Sequence, residues 1–367
     1  MRILQICSAR EIGGGEIHLV DLVNGLADRG HEVFVALSPA SPLIGRLSAL
    51  PAENIIELPM RNALNIATAM KLSRFVRSES IAIVHAHVAR DYLLATLATD
   101  RSESGLVLTR HVLFPLHRIH RLTLRRTSRV IAVSRAVAES LLSQRIFAPD
   151  KIVTIPNGID VERFASAVVD QVRNHRPRVG MVGHIAPIKG QEDFVRAAAI
   201  ASHYRNDIEF VIAGEDKADS RENRRALEKL ISELMMEESV RLLGWTDDIA
   251  PFLSTLDVYV SPARSEPFGL SIVEAMAAGV PVVATASEGA CEIIDDNETG
   301  RLVPIGEGEI IAATILDLLE DQSERERLSQ NARVAAGKRF SLERMVEETE
   351  RIYFEALGHM LPQKSAQ

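Results

Sequence analysis

The chain has 367 residues and carries 42 Lys and Arg against 50 Asp and Glu, a net charge of −8 at neutral pH. That length suits about two domains of ~150 residues. An apolar share of 46% with 25% charged residues excludes a disordered chain, and the acidic balance excludes a surface built throughout for nucleic acid. Two distant cysteines, Cys7 and Cys291, offer no disulfide framework and no paired zinc or redox motif, which fits a reducing, cytoplasmic setting. The first apolar run is too short for a signal peptide, and no stretch of about 18 apolar residues spans a membrane.

Hydrophobic periodicity predicts strands alternating with helices. Arg2–Cys7 reads as a buried parallel strand, followed by a Gly13-Gly14-Gly15 turn and a helix from Glu16 to Arg29 that Gly30 closes. Glu32–Leu37, Ile81–His85, Leu106–Thr109 and Val130–Val133 are further strands, and Ile152–Ile155 ends in a turn at Pro156-Asn157-Gly158. Val168–Arg176 is polar and stops at Pro177. A second series then starts, with strands at Arg178–Val182, Ile208–Ala213, Val240–Leu243, Val258–Val260 and Val280–Ala284 and a helix at Gln191–Ala201. Two such series predict two doubly wound α/β domains divided near 160–177, with a last long helix from Ser341 to Leu357. In such sheets ligands sit beyond the C-terminal strand ends, so two facing domains would form a cleft there.

Several strand-to-helix loops carry chemistry. Ser261–Gly269 opens a helix whose free N–H groups and dipole favour an anion. Glu266 precedes that helix and Glu274 lies inside it; Ser271 and Glu274 also match a capping box, in which Glu274 would only satisfy a backbone N–H. Lys189-Gly190 stands before the helix at Gln191, where a lysine can neutralise a phosphate, although a single loop lysine is more often merely solvated. The Gly13-Gly14-Gly15 loop lacks the G-x-G-x-x-G spacing, with His18 at the third glycine's place and no acidic residue ending the second strand. NAD is therefore not expected, while a phosphate or sugar could still approach the glycine backbone. His85, His87 and His111 fall at strand ends, and a metal there would need convergent ligands with partners behind them.

Together these motifs resemble the family 4 retaining glycosyltransferases. The signature runs from Glu266-Pro267-Phe268-Gly269-Leu270 to Glu274, with seven residues between the two glutamates. Pro156-Asn157-Gly158-Ile159-Asp160, Lys189-Gly190, the glycine-rich first loop and Ala132-Val133-Ser134 also match, so the resemblance covers nearly the whole chain. It implies a GT-B fold: an acceptor-side Rossmann-like domain over 1–165, a nucleotide-sugar-binding domain over 166–340, and a helix in 341–367 crossing back to the first domain. It implies transfer of a sugar from a UDP- or GDP-sugar to a glycan, glycolipid, polysaccharide or lipopolysaccharide acceptor, with retention. Glu266, His111 and Lys189 would be catalytic. Gly14, Gly15, His184, Lys189, Phe268, Gly269, Leu270 and Glu274 would hold the donor, with no metal and no cofactor. His184 stands where the family commonly has an arginine beside the diphosphate. That departure leaves room for another cation, such as Arg264, or for a weakened nucleotide-sugar-binding protein. A nucleotide-sugar 2-epimerase on the same fold is the enzymatic alternative.

One feature lies outside those motifs. Between Ser104 and Ala138 there is no acid but there are seven arginines: Arg110, Arg118, Arg121, Arg125, Arg126, Arg129 and Arg135. On a helical wheel Arg118, Arg121, Arg125 and Arg129 share one face beside Leu116, Ile119 and Leu122. This predicts a peripheral contact with an anionic membrane or an anionic acceptor, against the plainer reading of a solvated basic helix.

Overall fold

A computed structural model describes residues 1–60, 65–167, 176–218 and 220–358. The chain divides into two compact units: Met1–Gly158 joined by the segment that begins at Leu342, and Ile159–Ser341. In the first unit the order is β1 (Arg2–Cys7), α1 (Gly14–Asp28), β2 (Glu32–Leu37), β3 (Ile55–Glu57), α2 (Ile66–Ser78), β4 (Ile83–Ala86) and α3 (Tyr92–Ala98). It continues with β5 (Gly105–Arg110), α4 (His120–Thr123), β6 (Arg129–Ala132), α5 (Arg135–Gln144) and β7 (Ile152–Thr154). The second unit holds α6 (Val161–Ser166), β8 (Arg178–Val182), α7 (Gln191–Tyr204), β9 (Glu209–Ala213), α8 (Glu222–Glu233), β10 (Val240–Gly244), α9 (Ala250–Ser254) and β11 (Val258–Ser261). After these come α10 (Leu270–Ala278), β12 (Val282–Thr285), α11 (Glu288–Ile293), β13 (Arg301–Val303), α12 (Gly308–Glu320) and α13 (Gln322–Arg339); α14 (Leu342–Ala356) belongs to the first unit.

Each unit is built on one all-parallel sheet. The first is ordered β3-β2-β1-β4-β5-β6-β7, the second β10-β9-β8-β11-β12-β13. Strands such as Ile83–Ala86 and Val282–Thr285 are buried at every residue, as expected where helices cover both faces and the strands read as continuous apolar runs. In both sheets the winding reverses beside the first strand, at β1/β4 and at β8/β11. Those two reversals, at the C-terminal strand ends, are where a doubly wound sheet opens a crevice.

The joint between the units carries its own local chemistry. Arg344 donates to the Pro156 carbonyl at 2.7 Å, and the Gly158 N–H meets Met345 Sδ at 3.1 Å. Asp160 then caps α6, accepting from the Arg163 N–H at 3.1 Å. The first unit runs to Gly158 and the second opens at Ile159. Ser341 is extended, bridged to Ile159, so α14 begins one residue later than expected. Met345, Val346, Ile352 and Tyr353 of α14 are buried in the first unit's core. Burial of each such side chain contributes roughly 1.5–3 kcal/mol, and Glu350 adds contacts to Arg29 and His31, each at 2.6 Å.

One expectation is corrected. The arginine-rich segment does not form one long helix: α4 covers only His120–Thr123. The stretch before it is tied down by side chains, Arg110 reaching the Phe114 carbonyl and Gln144 Oε1 taking the Leu116 N–H at 2.7 Å, and the helix itself stops at Leu124. Arg129 consequently opens β6 and lies 3.5 Å from Glu355, away from the supposed face. The three-residue edge strands β3 and β13 are too short to leave a period in the sequence. Of the polar stretch Val168–Arg176, all but Arg176 lies outside the described residues. Among the described residues no helix is long and apolar enough to cross a membrane.

Candidate active site

In the second unit the loops after β8 and β11 meet at the sheet's reversal. β8 leads through Gly183 and His184 to a short turn at Pro187–Lys189, then to α7. Gly190 is the hinge of that turn. Its φ of +73° is left-handed, and a Cβ there would stand 2.0 Å from the Pro262 carbonyl oxygen, so no other residue fits. This close approach brings the β11 loop against Lys189. Lys189 Nζ donates to Glu266 Oε2 at 2.5 Å, with the side chains 21% and 12% exposed. A cation and a carboxylate held this far from water stabilise one another strongly only while paired.

The glutamate loop is held from behind by residues that the sequence motifs did not single out. Glu288, at the start of α11, accepts from Ser265 Oγ at 3.0 Å and from the Glu266 N–H at 3.2 Å; the next N–H, of Gly289, donates to the Glu266 carbonyl at 2.8 Å. A glycine one residue into a helix that follows a buried strand is the signal that could have pointed there. α10 begins at Leu270 with Gly269 as its cap at φ +113°. Ser271 therefore lies inside the helix and cannot cap it, which overturns the capping-box reading of Glu274. Glu274 is buried. Burial pushes the Tyr259 phenol up; a Ser271 hydrogen bond opposes this, while the charges of Glu274 and, less, Glu266 add to it. Both carboxylates thus act on one buried phenol. Phe268 is buried with its ring 5.8 Å from that of Phe340, so its backbone is what it can offer a ligand. His184 gives its carbonyl to Gln191 Nε2 at 2.9 Å. Arg264, a possible substitute cation, is engaged by Asp193 through contacts of 3.2 and 3.3 Å.

In the first unit Gly14 and Gly15 open α1, and Glu16 reaches back to the Gly13 N–H at 3.0 Å. Gly15 has no side chain because His111 occupies that space: a Cβ would lie 3.2 Å from His111 Cγ. His111 follows β5 and joins His18 and His87, with ring centres 4.8 and 5.7 Å away. Burial depresses all of these imidazoles. It takes His18 down to about 4, and neighbouring histidines add to the lowering at His85, His87 and His111. They are neutral at physiological pH.

Three histidine nitrogens, one each from His18, His87 and His111, lie within 4.8 Å of one another. The ring directions do not suit a tetrahedral ion. His87 Nδ1 and His111 Nε2 are 3.4 Å apart in rings tilted by only 21°. The 5.7 Å between ring centres equals that gap plus the two centre-to-nitrogen spans. The nitrogens therefore point head-on at each other, as in a hydrogen bond, whereas zinc ligands converge near the tetrahedral angle.

Comparison with known proteins places this geometry in a family. Residues 12–163 match the family described as Glycosyltransferase Family 4, and residues 166–335 match Glycosyl transferases group 1. A phosphatidyl-myo-inositol mannosyltransferase of Mycolicibacterium smegmatis is 30% identical over 89% of this chain and 86% of its own. A lipopolysaccharide core biosynthesis glycosyltransferase of Rhizobium meliloti is 28% identical over 91% and 94%. Among solved structures, Anabaena HepE in complex with UDP-glucose superposes with a TM-score of 0.83 at 23% identity, over 98% of this chain and 99% of that one. The chain belongs to glycosyltransferase family 4 and is a glycosyltransferase of the GT-B fold.

Proposed function

We propose that the second unit binds a nucleotide diphosphate sugar, a UDP- or GDP-sugar, and that the enzyme transfers its sugar with retention to a glycolipid, polysaccharide or lipopolysaccharide acceptor held by the first unit. The observation that carries this is the Lys189–Glu266 pair at the β8/β11 reversal. A departing nucleoside diphosphate builds negative charge, and Lys189 with the N–H groups opening α7 and α10 can stabilise it. When the diphosphate takes Lys189, the Glu266 carboxylate is released to accept hydroxyls of the transferred sugar. The names of the mannosyltransferase and the lipopolysaccharide-core relative, and the UDP-glucose in HepE, support the substrate classes.

The test is a thermal-shift screen over UDP-, GDP- and ADP-sugars, since a bound donor raises apparent stability by mass action, followed by product analysis. Transfer to an added glycolipid with the anomeric configuration kept is the expected outcome. A changed free sugar without any acceptor would show a 2-epimerase, and binding without turnover would show a weakened binding protein. Within this scheme Glu274 contacts the ribose, an interaction alike in ground and transition states. Glu274→Gln is therefore expected to raise the donor KM by roughly tenfold with little change in kcat. A lowered melting temperature with unchanged kinetics would make Glu274 purely structural.

We further propose that the arginine-rich segment seats the enzyme on an anionic lipid surface. Phe114, Ile119 and Leu122 are 70%, 56% and 72% exposed, interleaved with exposed Arg118, Arg121 and Arg125. Arg126 is paired with Asp100 at 2.6 Å and stands apart from this group. Apolar side chains among unneutralised cations suit the headgroup boundary. Replacing Arg118, Arg121 and Arg125 by Gln should lower binding to phosphatidylglycerol vesicles by on the order of 10²-fold at low salt, at roughly 1 kcal/mol per residue. The difference should shrink at high salt. Vesicle sedimentation at two salt concentrations measures it, and a parent protein that ignores the vesicles at low salt ends the idea.

A further inference from the structure

We infer that Arg90 and Arg10 form a clamp for a phosphomonoester at the reversal of the first sheet, and that the acceptor is a sugar or polyol whose phosphate this clamp holds. That the phosphate belongs to the acceptor rests on the proposed glycosyl transfer; the clamp itself does not. A cavity of about 340 Å³ is lined by Ser8, Arg10, Met60 and Arg90, all of the first unit. Ser8 directly follows β1, and Arg90 lies in the turn that leads from β4 to α3. The cavity therefore stands at the β1/β4 reversal, where a doubly wound sheet takes its ligands.

The way Arg90 is held separates this cavity from a pair of solvated arginines. Its Nε donates to Ser8 Oγ at 2.5 Å and its Nη2 to the Ser8 carbonyl at 2.7 Å, both along one edge of the planar guanidinium. Ser8 is itself fixed: its N–H donates to Asp91 Oδ2 at 2.7 Å, and its carbonyl also accepts from Ser38 Oγ at 3.0 Å. An exposed arginine normally loses side-chain freedom when it binds; here contacts from the ends of β1, β2 and β4 have already ordered it. The end edge, Nη1 with the second Nη2 proton, has no partner among the described residues. Such a fork of two parallel N–H groups fits two oxygens of a phosphate. Arg10 is exposed, has no hydrogen-bond or ion-pair partner among the described residues, and brings a second positive charge to the same cavity. Among the described residues no carboxylate lines it, and Asp91 lies wholly buried behind Ser8. Two cations without a counter-charge match a phosphomonoester, at about −1.5 to −2, better than a single carboxylate. Met60 gives an apolar wall for a carbon skeleton. The volume lies at the small end of ligand sites, which run from roughly 300 to 1,000 Å³, so it takes a phosphorylated monosaccharide or headgroup and leaves a lipid chain outside.

The test is titration calorimetry of the full chain without nucleotide, against glucose 6-phosphate, inorganic phosphate and phosphatidic acid vesicles. The vesicles are used with Arg118, Arg121 and Arg125 replaced by Gln, so that the arginine-rich segment does not contribute. The expected result is binding of a phosphomonoester that weakens about tenfold or more in Arg90→Gln, several-fold in Arg10→Gln, and not at all in Arg101→Gln, a remote exposed arginine. Binding of glucose 6-phosphate assigns a soluble acceptor and binding of the vesicles alone a lipid headgroup; either supports the clamp. Binding of inorganic phosphate alone overturns the acceptor half. Arg90→Lys keeps the charge and loses the fork, so full binding by that variant overturns the geometry. Binding that survives Arg90→Gln and disappears in Lys189→Ala belongs to the other unit and overturns the clamp, as does a parent protein that binds none of the three probes. Both arginines are exposed, so the variants should melt with the parent. In transfer assays Arg90→Gln should raise the KM of a phosphorylated acceptor roughly tenfold and leave the donor KM unchanged; equal transfer to that acceptor and its unphosphorylated form overturns the acceptor half. Because the titration needs no donor, a parent that binds the phosphomonoester and turns over no UDP- or GDP-sugar counts against glycosyl transfer and not against the clamp.

Discussion

Lys189→Ala should slow sugar transfer by about 10²-fold or more, equivalent to roughly 3 kcal/mol of transition-state stabilisation, and should weaken donor binding. The lysine stands at the turn before α7, held there by a glycine that only tolerates the close Pro262 carbonyl because it lacks a side chain. Its one described partner is Glu266, at 2.5 Å. In the proposed scheme an ammonium in that position faces the charge that develops on a departing diphosphate, and its contact tightens as the bond to the sugar breaks. Removing it also leaves the mostly buried Glu266 carboxylate without its cation, a loss that acts on the folded state. The two effects are separable. Steady-state kinetics report the first, and a melting curve without nucleotide reports the second. Unchanged kinetics in a folded variant would remove Lys189 from the site.

Glu266→Gln should lower kcat by on the order of 10²-fold with a smaller change in donor KM. The substitution preserves size and leaves an oxygen that Lys189 can still reach, so the loop should keep its shape. The Glu266 N–H and carbonyl remain held by Glu288 and Gly289. What disappears is the negative charge that would face the sugar as positive character grows at its anomeric carbon. Because Lys189 and Glu266 touch, their effects should not add. The double variant Lys189→Ala/Glu266→Gln should fall well short of the product of the single losses. Additive losses would mean that the two residues serve separate sites, contrary to the proposed donor geometry.

Much of the architecture was legible because it is written in local pattern. Largely apolar runs such as Ile3–Cys7 and Val282–Thr285, alternating with helical periods, specify a parallel sheet covered on both faces. Two such series specify two units. The residue types at Lys189-Gly190 and Glu266–Glu274 likewise marked two loops that the structure brings together at the β8/β11 reversal, since glycine-bounded turns before helices are recognisable in one dimension. The basic segment shows the limit of the same method. Its helical wheel placed Arg129 beside Arg118, but the helix stops at Leu124 and Arg129 enters β6 instead.

Other features could be decided only by tertiary structure, because they depend on residues that no periodicity connects. Whether Glu274 caps a helix turned on where α10 begins, and the close packing around Gly269 puts that start before Ser271. Gln5 and Tyr353 are 348 residues apart in the chain, yet their side chains meet at 3.0 Å because α14 returns to the first unit. His87 and His111 end different strands, and only the parallel register of β4 with β5 brings them together. Sequence determined which segments would be strands and helices and which loops could hold an anion, because burial and backbone preference act over neighbouring residues. Which buried side chains meet around His111 was decided by the fold, because they come from segments far apart in the chain.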